Sequence, residues 1–284
     1  MDESSMDEDA KRNLEAILNS PSYVLAERDT ALLERRELRP VRLQLELLKP
    51  EMAFHEHNIN STIVVFGSTQ IGERPALKKR FEAAQAALAK DPQNPRLARE
   101  AGRAERLLAK AHYYEAAREF TRLVSSESQT DGHEYVVVTG GGPGIMEAAN
   151  RGAYDVQAKS VGLNITLAAE QVPNPYITPE LCFQFHYFAL RKLHFLLRAQ
   201  ALVVFPGGFG TIDELFDALT LRQTRRMQEI PIVMFGREYW EHVLDFQFLA
   251  DEGIIEDAHL ELFSYAETPQ EIWNTIANFH HHEA

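Results

Sequence analysis

Five short apolar runs, each almost free of charged interruption, set the strongest limit on how this chain folds. They are Thr62–Phe66, Tyr135–Thr139, Ser160–Ile165, Ala201–Phe205 and Ile230–Phe235. Each is rich in Val and Ile and continuous rather than alternating, which is the pattern of a strand covered on both faces. Helical patterns separate them. The expected architecture is therefore α/β: a Rossmann-like, doubly wound parallel sheet with helices on both faces. Leu260–Tyr265 offers a sixth strand. After it, Thr268-Pro-Gln-Glu271 supplies an N-cap, a proline at the first helical position and a capping-box Glu for a last helix.

Two stretches exceed this plan. Residues 1–60 read as an N-terminal helical extension with Pro-containing connectors at Arg39-Pro40 and Lys49-Pro50, leaving residues 61–280 as the main domain. Between the first two runs, Leu77–Lys90 and Leu97–Ser125 read as charged amphipathic helices. Asp91-Pro-Gln-Asn-Pro95 breaks them, so a helical hairpin is expected as an insertion at about 73–112. Its Ala-rich, charged faces suit packing or an oligomer surface.

Composition narrows the function. A net charge of −13 argues against a nucleic-acid polymer as ligand, because such binders need a basic footprint. It leaves room for a small anion held by backbone dipoles. Cys182 is the one cysteine, which excludes an intrachain disulfide and a Cys-based zinc site; Leu-Cys-Phe suggests a buried thiol. His55, His57, His186 and His194 have no spaced carboxylate partner, and His280–His282 read as a tail, so no metal is expected. The acidic first nine residues lack a signal-like apolar core, and no run reaches the ~18 apolar residues of a membrane span. A cytoplasmic protein without membrane contact is the expectation.

In open parallel sheets, ligands bind beyond the carboxyl ends of the strands. Three such ends carry glycine turns: Gly67-Ser68-Thr69, Gly140-Gly-Gly-Pro-Gly144 and Pro206-Gly-Gly-Phe-Gly-Thr211. Glycine lets the backbone bring N–H groups close to an anion, and the helix that follows aims its positive end at the same place. Pro143 suits the first position of a helix with Ile145, Ala148, Ala149 and Gly152 on its inner face. None of the turns is a dinucleotide fingerprint: Glu147 stands where that motif needs glycine, and no phosphate-loop signature of NTP hydrolases occurs.

Two charged groups adjoin these turns. Glu214 lies three residues after Thr211, a spacing that fits a capping box with Thr211 as N-cap and equally a carboxylate at the mouth of the ligand site. On a helix around Phe185–Arg198, Leu190, Leu193 and Leu197 define an apolar face. Arg191, His194 and Arg198 fall on another, which is either a solvated basic face or, through Arg191 and Lys192, an approach to the fourth strand's glycine turn.

Taken in order, Gly140–Asn150, Leu190-Arg-Lys192 and Pro206–Glu214 resemble the LOG ("lonely guy") family, often labelled "possible lysine decarboxylase". Leu163–Gln171 with Pro173-Asn174 is also similar, and the resemblance covers about residues 61–275. It implies a phosphoribohydrolase, which cleaves a nucleoside 5′-monophosphate to free base and ribose 5-phosphate without a cofactor. The family's catalytic Arg and Glu fall on Arg191 and Glu214, and its phosphate loop on Gly207, Gly208, Gly210 and Thr211. Gly67, Ser68, Gly141, Gly142, Gly144, Glu147 and Lys192 complete the implied substrate-binding set. Plant members lack the arm and the hairpin; in these the chain is more similar to the larger bacterial nucleotide nucleosidases, which favours AMP or a related nucleotide. A homodimer or larger homo-oligomer is implied. The decarboxylase label finds no Schiff-base Lys in a recognisable setting. A non-catalytic nucleotide or molybdenum-cofactor carrier is the alternative, and it needs the glycine turns but not the Arg–Glu pair.

Overall fold

The computed structural model describes residues 6–129, 134–166 and 172–281. Residues 167–171 of the family-like segment, and His282, lie outside the described residues. The chain divides into two compact units, Met1–Lys49 and Pro50–Ala284. The first holds α1 (Glu8–Leu18), α2 (Thr30–Glu34) and most of α3 (Arg39–Glu56). Asp7 and Asp29 cap α1 and α2, their carboxylates accepting from Ala10 and Leu32 N–H at 2.7 and 2.8 Å. The expected connectors at Pro40 and Pro50 are instead inside α3. Pro40 sits in the first turn, where no N–H is missed, and Pro50 is buried within a helix that continues through it.

The second unit is built on seven parallel strands in the order β4-β3-β2-β1-β5-β6-β7. Central strand β1 (Thr62–Phe66) is followed by α4 (Arg74–Lys90), α5 (Pro95–Ala109) and α6 (Ala111–Ser128). Asn94 caps α5 through Oδ1, accepting from Arg96 and Leu97 N–H, and Pro95 opens the helix. The single helix expected over Leu97–Ser125 is two, parted at Lys110. Then come β2 (Val136–Thr139), α7 (Ile145–Asp155), β3 (Ser160–Ile165) and β4 (Cys182–Phe185).

Strand β4 escapes a search for long apolar runs. It has four residues, and as an edge strand it alternates, with Phe183 and Phe185 buried and Gln184 exposed. Cys182 on it is only partly buried, against expectation, because no strand among the described residues pairs beyond this edge.

After α8 (Phe188–Leu196) the chain enters β5 (Ala199–Val204), α9 (Phe209–Gln223), β6 (Ile232–Phe235), α10 (Arg237–Val243) and α11 (Phe246–Asp251). The last strand, β7 (Ser264–Ala266), starts later than the Leu260–Tyr265 run because Asp257–Leu262 forms a 3-10 helix. Its closing helix α12 (Pro269–His281) begins as the sequence requires: Glu271 N–H donates to Thr268 Oγ1 at 3.2 Å, and Glu271 Oε2 accepts from Thr268 N–H at 3.3 Å.

Alternation along β1 explains the two cores. Val64 and Phe66 face a cluster with Phe195 of α8, Leu215 of α9 and Trp240 of α10. Ile63 and Val65 face the other, with Phe120 of α6, Ala148 of α7 and Ile276 of α12. Helices thus cover both faces, as the continuous apolar strands demand. No helix among the described residues is long and apolar enough to cross a membrane.

Candidate active site

The chain reverses its direction of travel across the sheet at β1, whose neighbours are β2 on one side and β5 on the other. At this switch point the loops leaving β1 and β5 must part, and a crevice opens above the strand ends. The loops start side by side: Phe205 N–H donates to Phe66 O at 2.9 Å and Ser68 N–H to Pro206 O at 3.0 Å. Above them lies a cleft of about 420 Å³.

Its floor and one wall are backbone. Gly67, Ser68, Gly140, Gly208, Gly210 and Thr211 line it, and Gly208 is the N-cap of α9 with no side-chain cap. The first N–H groups of α9 therefore remain available to an anion at the helix's positive end. Gly208 and Gly210 have open space where a Cβ would stand, whereas a Cβ on Gly207 would strike Thr211. The carbonyl of Gly207 accepts from Tyr239 Oη at 2.6 Å, so α10 holds the turn from behind.

The glycine turn after β2 is fixed differently. Thr139, Asn150 and Asn174 are buried and joined: Thr139 Oγ1 donates to Asn150 Oδ1 at 2.7 Å, and Asn174 Nδ2 to Asn150 Oδ1 at 2.9 Å and Gly142 O at 3.1 Å. Asn174 N–H also donates to Gly141 O. Gly141 and Gly144 have φ of +72° and +75°, a region that glycine enters without strain. Helix α7 starts at Ile145 with Gly144 as N-cap, so Pro143 lies before it rather than at its first position. Ile145 N–H donates to Ser68 O at 3.0 Å, which ties this turn to the one after β1.

The charged pair sits within these walls. Helix α9 begins at Phe209, three residues earlier than a Thr211 cap requires, and that disposes of the capping box. Glu214 falls in the second turn, is buried, and lines the cleft. Burial pushes its carboxyl up to about 7; Arg191 and then Lys192 oppose this by their positive charge. Arg191, partly buried and lining the cleft, donates from Nε to Leu163 O at 2.7 Å and stacks 5.1 Å from the Phe195 ring centre. Desolvation holds its guanidinium below the usual arginine range, with Glu214 acting to raise it. Among the described residues, no ion pair joins the two.

Helix α8 therefore presents a different face from the one its leucines suggest. Leu193 and Leu197 are 41% and 46% exposed, while Arg191, His194 and Phe195 turn inward. The solvated basic face is thus overturned: the sheet side of α8 is apolar through Phe195, and Arg191 is admitted because Leu163 O takes its proton donor.

Several residues of the expected binding set lie elsewhere. Lys192 is in ion pairs with Asp213 at 2.9 Å and Asp217 at 3.3 Å on α9. Glu147 accepts from Tyr114 Oη at 2.8 Å on the α6 side. Neither lines the cleft, nor do Gly141, Gly142, Gly144 and Gly207, which shape its loops from behind. Conversely, Thr69, Gln70, Met146, Asn164, Phe188 and Phe209 line it and stand outside the binding set that the sequence implies. Asn164 gave a usable signal, as a polar side chain at the carboxyl end of an apolar strand. Phe188 lies one turn before Arg191 on the same helix face. No group of three or more His, Cys, Asp or Glu residues that could hold a metal occurs among the described residues.

A family model described as "Possible lysine decarboxylase" matches residues 146–276. A rice (Oryza sativa subsp. japonica) protein, "Probable cytokinin riboside 5'-monophosphate phosphoribohydrolase", is 24% identical over 153 residues, covering 51% of this chain and 68% of the relative. Two solved structures are also similar. The molybdenum cofactor binding protein of Rippkaea orientalis is 17% identical with a TM-score of 0.42, covering 59% of this chain and 87% of its own. The Moco carrier protein of Chlamydomonas reinhardtii is 15% identical with a TM-score of 0.45, covering 77% and 96%.

Proposed function

This chain belongs to the LOG, or possible lysine decarboxylase, family, and from that premise we propose that it hydrolyses the N-glycosidic bond of a nucleoside 5′-monophosphate, AMP or a close relative. The observation that carries the reading is Glu214: a buried carboxyl raised to about 7, lining the same cleft as the uncapped N-terminus of its own helix α9, with Arg191 on the same cleft.

The 5′-phosphate binds at the start of α9, where Gly208 and Gly210 admit close approach and Thr211 adds a hydroxyl. Anchoring this remote group positions the ribose over Glu214. Breaking the C1′–N bond leaves positive charge on the ribose and negative charge on the departing base. Ionised Glu214 stabilises the ribosyl cation and accepts a proton from the attacking water, whose oxygen bonds to C1′. The base leaves with the bond's electron pair and takes up a proton, and ribose 5-phosphate remains. The positive charge of Arg191 eases the ionisation of Glu214. Met146, Phe188 and Phe209 supply apolar surface suited to a base; Phe209 is 92% exposed at the cleft mouth. A carrier would need the loops but not a buried, perturbed acid.

The test is to incubate purified protein with AMP, GMP, CMP, UMP and an N6-modified AMP and to measure free base by chromatography. Release of base from at least one, lost in Glu214→Ala, is expected. Full activity in that variant sinks the assignment, and saturable nucleotide binding with no base released favours the carrier.

A further inference from the structure

The turn that leads into α9 is anchored one carbonyl at a time. Pro206 O accepts from Ser68 N–H at 3.0 Å, and Gly208 O from Ile212 N–H at 3.0 Å. Between them, Gly207 O accepts from Tyr239 Oη at 2.6 Å. The first tether comes from the loop after β1, and that on Gly208 O is the opening bond of α9. The tether on Gly207 O alone is a side chain, sent across from α10.

Tyr239 is itself firmly placed. Glu267 Oε1 accepts from Arg237 N–H at 2.8 Å and so caps α10. Tyr239 N–H donates to Gly236 O at 3.1 Å, and its ring stands edge-on to that of fully buried Trp240, with centres 5.2 Å apart. Trp240 Nε1 in turn donates to Phe235 O at 3.1 Å. Burial holds the Tyr239 phenol above its ordinary range, so it stays protonated and serves as a donor.

A trans peptide carries its C=O and the next residue's N–H on opposite sides of one plane. Gly207 O faces Tyr239, so the N–H of the same peptide unit, that of Gly208, is aimed away from Tyr239. Gly208 lines the cleft and has open space where a Cβ would stand, whereas Gly207 and Tyr239 lie outside the lining. With glycine on both sides, this unit meets little steric hindrance to rotation. Rotated, it would present its carbonyl oxygen to an anion and repel it. We infer that Tyr239 is a positioning residue: by holding Gly207 O from behind, it aims the Gly208 N–H at the 5′-phosphate. The role rests on the phosphate site proposed above, and Tyr239 itself touches no substrate.

Calorimetric titration of the full chain with ribose 5-phosphate tests it. Tyr239→Phe keeps the ring against Trp240 and removes the donor. It should weaken ribose 5-phosphate about three- to tenfold, the worth of one hydrogen bond. For the best nucleotide KM should rise by a similar factor with kcat little changed, whereas a merely structural role would lower kcat and Tm together. A second measurement needs no variant to fold. In wild-type protein carrying isotope-labelled glycine, the Gly208 amide proton should move downfield as ribose 5-phosphate is added, and the movement should shrink in Tyr239→Phe. Equal affinity in the two proteins, or a Gly208 amide that does not respond, overturns the inference; base release by the wild type then leaves the hydrolase reading standing. Conversely, weakened ribose 5-phosphate binding with no base released from any nucleotide upholds the tether and defeats the hydrolase reading. A wild type that binds no ribose 5-phosphate overturns the inference together with the phosphate site.

Discussion

Arg191 and Glu214 line the same cleft without closing an ion pair, so the positive charge only partly offsets the burial of the carboxyl, which stays near 7. A closed pair would have held the acid low and spent it on structure. This arrangement instead leaves Glu214 able to change charge near neutral pH.

Activity should therefore follow that ionisation. The carboxylate is the working form, so kcat/KM for the best nucleotide should rise with pH, with a midpoint near 7, and level off above it. A profile flat from about pH 5.5 to 8.5 would remove Glu214 from the chemistry.

The same shift has a cost in stability, with a definite sign. Folded Glu214 titrates near 7 against 4.5 for the ordinary group. Its contribution is most favourable below about 4.5 and is lost as pH rises through 7, by on the order of 2–3 kcal/mol. Glu214→Gln should lower activity at least about a hundredfold while raising Tm by several degrees at pH 8 and hardly at all at pH 4.5. Calorimetry at the two pH values distinguishes this from a merely structural glutamate, whose loss would lower Tm at both.

Gly140 limits where Arg191 can be. A Cβ there would stand 2.5 Å from Arg191 Nη2 and 2.8 Å from Met146 Sδ. Gly140→Ala should displace the guanidinium and reduce kcat more than it changes Tm. Steady-state kinetics beside a thermal melt would show this.

The glycines of the α9 turn should separate into two kinds. Gly207→Ala drives a Cβ into Thr211 and should destabilise the protein by about 1–3 kcal/mol through overpacking. Gly208→Ala and Gly210→Ala meet open space and should leave Tm within a degree or two, yet weaken phosphate binding, measured by titration with ribose 5-phosphate.

Asn174 tests the loop behind. Replacing it with Ala removes donors to Gly142 O and Asn150 Oδ1 in a buried network and should cost about 1–3 kcal/mol. Faster hydrogen exchange confined to the Gly140–Gly144 amides is expected as well.

Much of the fold was written in local pattern. Continuous Val/Ile runs can rest only between two helical layers, and glycine turns at their ends mark where an anion can approach; both follow from short-range sterics and solvation. Strand β4 escaped because an edge strand of four residues alternates and resembles a loop. Lys192 and Glu147 were assigned to the binding set by resemblance, yet their partners Asp213, Asp217 and Tyr114 come from other helices. What the sequence determined alone was the layered sheet and the glycine turns at its carboxyl edge. The tertiary structure decided which face of α8 turns inward, because Leu193 and Leu197 are as apolar as Phe195 and only the sheet's shape and the Leu163 carbonyl that accepts from Arg191 select among them. It also decided that α9 begins at Phe209, which turns Glu214 from a helix cap into a buried acid. A carboxyl's environment is a sum over distant neighbours, and no short stretch of sequence contains it.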